Sequence, residues 1–97
     1  MSRVDFDLVR QVSGQSVLAI CNRIIPGGKV LAGEYTVRNP KRVDRNPGSF
    51  RVNVRTGRWS DFATGDRGGD VISLAAYLFN LSQADAARRL ATMLGVR

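Results

Sequence analysis

The chain has 97 residues, enough for one small domain around a single core. With 43% hydrophobic and 24% charged residues it has the composition of a folded globule. One cysteine and no histidine exclude an internal disulfide, an ordinary zinc site and imidazole-based acid–base chemistry, so no enzymatic activity is expected.

Fifteen Lys and Arg against eight Asp and Glu leave a net charge of +7, the balance of a protein that meets polyanions. The excess is local. From Arg38 to Arg58 the cations Arg38, Lys41, Arg42, Arg45, Arg51, Arg55 and Arg58 face only Asp44. Arginine outnumbers lysine there, which suits multidentate contact with phosphate and stacking on bases. No apolar run approaches the length of a bilayer span, and the N-terminus lacks the pattern of a secretory leader. The expectation is a cytoplasmic protein with no membrane partner.

Residues 1–28 read as helical. From Val4 to Ile25 the apolar residues Phe6, Val9 and Val12, then Val17, Ile20, Cys21 and Ile24, recur at helical spacing, with a break near Ser13-Gly14. Asp5 and Asp7 complement the dipole at the start, and Ser13 is the expected N-cap of the second piece. Pro26-Gly27-Gly28 ends it. Cys21 faces the core as a small hydrophobe and is assigned no chemistry.

Residues 29–64 read as β-structure. Lys29–Leu31 and Glu34–Val37 pair across Ala32-Gly33, and a polar loop from Asn39 to Gly48 follows. Ser49–Val54 alternates strictly, Thr56-Gly57 turns, and Arg58–Phe62 returns. A two-residue turn sets Val54 opposite Trp59 and Val52 opposite Asp61 on the Phe50 side. Arg51, Asn53, Arg55, Arg58 and Ser60 then share the other side, together with Phe62. Trp59 and Phe62 are the candidates for stacking on a base, although core packing is the competing use of Trp59.

Gly65–Asp70 has glycines at a helix start but neither the lysine nor the spacing of a nucleotide loop, so it reads as a strand-to-helix connection. Asp61, Asp66 and Asp70 are the one close group of carboxylates. Oxygen ligation of Mg²⁺ is one use of such a group; with Arg67 among them, ion pairing and capping are the favoured ones. Residues 69–95 read as two helices. Val71, Leu74, Ala75 and Leu78 form the face of the first; Ala87, Leu90, Ala91 and Leu94 form that of the second. Ser82–Asp85 is a capping signature and Gly95 a stop.

The string from Gly48 through Ser49-Phe50, the turn at Gly57, Trp59 and Phe62 to Gly68-Gly69-Asp70-Val71-Ile72 resembles the zinc-binding domain of DnaG-type and phage primases. The likeness covers roughly Tyr35 to Leu94. It implies a zinc-ribbon-like sheet, and a module that engages template DNA while a separate domain makes the primer. The family's four zinc ligands align with Asn39, Arg42, Asp61 and Thr64, so the implied ribbon is a metal-free variant without a cofactor. Asn39, Asp61 and Thr64 are then expected to hydrogen-bond locally, with Arg42 pairing Asp61.

These readings converge on a single α+β domain, with an antiparallel sheet of three or four strands between N-terminal helices and two C-terminal helices. The expected function is that of an accessory module in phage or mobile-element DNA replication. It binds single-stranded or primer-template DNA through Arg51, Arg55, Arg58, Lys41, Arg42 and Arg45, with Phe62 or Trp59 stacking on a base. The alternative is a module that docks a primase, helicase or polymerase.

Overall fold

A computed structural model describes residues 5–41 and 48–96. Within these, two helices, five strands and two further helices follow one another: α1 (Phe6–Gly14), α2 (Val17–Ile24), β1 (Lys29–Leu31), β2 (Glu34–Val37), β3 (Phe50–Asn53), β4 (Trp59–Asp61), β5 (Arg67–Gly68), α3 (Val71–Phe79) and α4 (Gln83–Leu94). The α+β class and the flanking helices are as the sequence implies. The sheet has five strands rather than three or four, all antiparallel and in chain order. The fifth, Arg67–Gly68, lies in the stretch read as a plain connection. It pairs with β4 through Trp59↔Gly68 and Ser60↔Arg67. A Cβ on Gly68 would collide with the Trp59 indole and the Ser73 hydroxyl, so only glycine admits this pairing.

The starts of α1, α3 and α4 each have a side-chain cap. Asp5 Oδ1 accepts from Leu8 N at 3.0 Å and opens α1. Asp70 accepts from Ser73 N at 2.8 Å in a capping box that opens α3. Ser82 Oγ accepts from Asp85 N at 3.1 Å and opens α4. The break between α1 and α2 falls later than expected. Ser16, not Ser13, occupies the N-cap of α2, and the buried Ser13 hydroxyl donates to Arg10 O. Arg10 also pairs with Asp70 at 3.0 Å, tying α1 to the start of α3.

Strand alternation sorts the sheet into two faces. Tyr35, Val37, Phe50, Val52, Trp59 and Asp61 point inward, and the apolar ones among them join buried residues of all four helices in one core. Phe50, Trp59 and Tyr77 form a cluster of three mutually touching rings, with the Phe50 centroid 5.7 Å from Trp59 and 6.1 Å from Tyr77, and these two 4.7 Å apart. The Tyr35 hydroxyl donates to Ile25 O at 2.7 Å and accepts from Gly28 N, which pins the end of α2 to the sheet. Cys21 is buried in the core as expected, and burial pushes its thiol up to about 11. Among the described residues no helix is long and apolar enough to cross a membrane.

Candidate functional site

The β3–β4 hairpin departs from the expected register. Val52, not Val54, lies opposite Trp59, and Phe50 lies opposite Asp61. The cause is Asn53. Its Oδ1 accepts from Arg55 N and Thr56 N at 2.9 and 3.0 Å, so the chain begins to turn two residues early. Asn53 N then donates to Arg58 O across a four-residue loop. Gly57 takes φ +80° in this loop and lies against Val71, seating the hairpin tip on the start of α3. A slip of two residues preserves strand parity, so each side chain within the strands keeps its expected face.

The outward face is a lattice of cross-strand neighbours. One row runs Lys29, Thr36, Arg51, Ser60, Arg67 across all five strands; the next runs Leu31, Glu34, Asn53. Arg58 follows Asn53 through the backbone bond that closes the hairpin, and Arg38 follows Thr36 on the same side of the chain. Lys29, Arg38, Arg51, Arg58 and Arg67 are exposed, and Glu34 is the one acid among these residues. Among the described residues the ion pairs are Arg10–Asp7, Arg10–Asp70 and Arg88–Asp85, and none involves this face. Two adjoining shallow grooves cross it, of about 650 and 710 Å³. The first runs past Arg51, Arg58 and Arg67, the second past Lys29, Arg38 and Arg51.

Phe62 lies at the edge of this face and is 67% exposed. The Arg51 guanidinium lies over its ring, 5.4 Å from the centroid, and Arg51 Nε donates to Gly48 O at 2.9 Å. The pair presents a flat aromatic surface beside a held cation. Such an arrangement can stack a base and neutralise its phosphate together.

Of the expected site residues, Arg51 and Arg58 lie on the open face with Phe62, and Arg55 lies exposed in the hairpin loop. Arg42 and Arg45 fall outside the described residues. Two expectations are corrected. Trp59 is 5% exposed and donates its indole N–H to Ser73 Oγ at 2.9 Å, so it is a core residue and not a stacking platform. Lys41 Nζ donates to Tyr77 O and Asn80 Oδ1 at 2.6 Å each, and lies over the Tyr77 ring. It caps the C-terminal end of α3 instead of reaching for phosphate. Arg67, Arg38 and Lys29 take their places on the face. Strand parity flags Arg38 and Lys29 once the β1–β2 hairpin is drawn; Arg67 needed the fifth strand.

The four positions aligned with zinc ligands tell a separate story. Asn39 and Asp61 are both buried, and Asn39 Nδ2 donates to Asp61 Oδ2 at 2.8 Å. The same amide donates to the Tyr77 hydroxyl at 2.8 Å, and that hydroxyl donates to Asp66 Oδ2 at 2.9 Å. Asp61 Oδ1 accepts from Ala63 N, Asn39 Oδ1 from Lys41 N, and Thr64 Oγ1 from Asp66 N. The expected local bonding of Asn39, Asp61 and Thr64 is therefore present; the expected Arg42–Asp61 pair lies outside the described residues. An amide, a single carboxylate and a hydroxyl do not make a structural zinc site, which is built from thiolate and imidazole. The donors and acceptors here are engaged with one another. Tyr77, the hub, carries no local signal in the sequence. Burial chiefly raises its phenol above the usual value, the Asn39 bond opposes this, and Asp66 adds to it.

No protein-family model matches the chain, and no curated protein or solved structure matches it.

Proposed function

We propose that this domain binds nucleic acid through the open face of its sheet, as an accessory module of a phage or mobile-element replication or priming system. It acts in the cytoplasm, without catalysis, on single-stranded or primer-template DNA. One observation carries the reading: Arg38, Arg51, Arg58 and Arg67 share a face on which no described acid pairs with them, beside a two-thirds-exposed phenylalanine held under a guanidinium. Unneutralised arginines on a sheet surface attract phosphate, and each phosphate contacted adds about 0.7–0.9 to the log–log salt dependence of binding. The replication context comes from the primase-like string around the hairpin and Gly68-Gly69-Asp70.

The test is a salt series of binding to labelled single-stranded and duplex DNA. Replacing Arg51, Arg55 and Arg58 together with alanine is expected to weaken binding and to flatten the slope by about 2–3. Unaltered affinity at low salt would remove the face from consideration.

A second reading has its own observation. Phe79, 50% exposed, lines a small apolar groove of about 210 Å³ with Ala75, Leu81, Leu90 and Met93, between α3 and α4. Such a groove favours docking of an apolar protein segment, and under the replication reading the partner is a replicative helicase or polymerase. Pull-down of neighbouring replication proteins in the presence of nuclease separates the two readings.

A further inference from the structure

We infer that Glu34 selects bases on a single strand laid across the open face, favouring guanine over thymine. The inference rests on the nucleic-acid reading above and deepens it.

Glu34 stands opposite Leu31 on one side and Asn53 on the other, in the middle of the face. It and Arg51 are the two residues that line both grooves, and Glu34 is the one acid lining either. Glu34 is partly buried as a residue, and no described residue donates a hydrogen bond to its carboxylate or forms an ion pair with it. A carboxylate that serves the fold has partners, as Asp61 and Asp70 do. Glu34 has none among the described residues, in a place where its charge opposes the attraction of every arginine around it.

That opposition dictates what approaches it. Phosphates follow Lys29, Arg38, Arg51, Arg58 and Arg67 and avoid the carboxylate, so the group that reaches Glu34 is a base edge. A carboxylate accepts hydrogen bonds and cannot donate them. The Watson–Crick edge of guanine offers two adjacent donors, N1–H and an N2 amino hydrogen, which match the two carboxylate oxygens. Thymine offers one N3–H between two carbonyl oxygens, and these repel the acid. In a duplex both edges are occupied by pairing, so this discrimination exists for single strands alone. Arg51 is the diagonal neighbour of Glu34 on the sheet, and the Phe62 ring that its guanidinium covers offers a stacking surface farther along the same face, for another base of the strand.

The experiment is fluorescence anisotropy in lithium chloride with two single strands of equal length, a thymine–guanine repeat and an oligothymidine. Wild-type protein is expected to bind the guanine-containing strand at least about fivefold more tightly. In Glu34→Gln, and equally in Glu34→Ala, the ratio is expected to fall to within about twofold. Oligothymidine binding tightens as the negative charge leaves, while the guanine strand loses its paired acceptor. Equal binding of the two strands by wild type, or a preference that survives both substitutions, overturns the role of Glu34 while leaving the arginine face in place. Failure of wild type to bind either strand at low salt overturns the nucleic-acid reading itself, and this inference with it.

Discussion

The two faces of the sheet are built from the same strands and the same backbone, yet they use polar groups in opposite ways. On the inner face Asp61 is 0% exposed and Trp59 5%, and they are bonded to Asn39 and Ala63 and to Ser73 of α3 respectively. On the outer face Arg51, Arg58 and Arg67 are exposed, and no described carboxylate balances them. What distinguishes the faces is therefore the company each charge keeps. An inward carboxylate that accepts from Asn39 and Ala63 belongs to the fold; an outward guanidinium that among the described residues reaches one carbonyl and one ring is available to a ligand.

The comparison breaks if changes inside alter binding while sparing stability, or changes outside do the reverse. The largest effect is expected at Phe50, fully buried against two aromatic rings. Phe50→Ala should cost about 3–5 kcal/mol in urea unfolding, enough to unfold a marginal domain. Asn39→Ala should cost about 1–3 kcal/mol, because it strands acceptors on Asp61 and a donor on Lys41 N, and should leave DNA affinity unaltered under conditions where the protein is folded.

The third prediction concerns alkaline pH. The Tyr77 phenol and the Cys21 thiol are both raised in the folded state, chiefly by burial, the thiol to about 11. Stability linked to them is complete below their ordinary values and is lost as pH climbs through the raised ones. Unfolding midpoints should fall from about pH 9 upward, and Cys21→Ala should remove part of that decline. Cys21 should resist thiol reagents at pH 8 until the protein is unfolded. The smallest effect is on the outside. Alanine at Arg51, Arg58 or Arg67 should shift stability by no more than about 0.5 kcal/mol each, so a larger loss would show these arginines to be part of the fold.

How much of this was legible beforehand follows from the range of each signal. Period-two alternation in 49–62 is local, and it assigned Arg51, Asn53, Arg58 and Ser60 to one face even though the turn was drawn wrongly. A two-residue slip is invisible to parity. The slip itself came from the Asn53 side chain bonding its own backbone, a signal present in the sequence but outweighed by the Thr56-Gly57 turn. Trp59 and Lys41 were misjudged because their partners, Ser73, Tyr77 and Asn80, arrive from α3 and its end. The buried network was half visible. Asn39 and Asp61 stood out through the aligned ligand positions, whereas Tyr77 joins them only once α3 lies across the sheet.

The order of the strands has a consequence for how the chain reaches this state. Every hydrogen-bonded strand pair joins consecutive strands, so the sheet can zip one hairpin at a time with short loop closures. The same meander, alone, would leave its aromatic underside wet. That side is sealed by helices from both ends of the chain, with α1 resting on α4. A nascent chain still tethered before α4 emerges therefore holds a hairpin scaffold without a finished core, and cooperative closure waits for that helix.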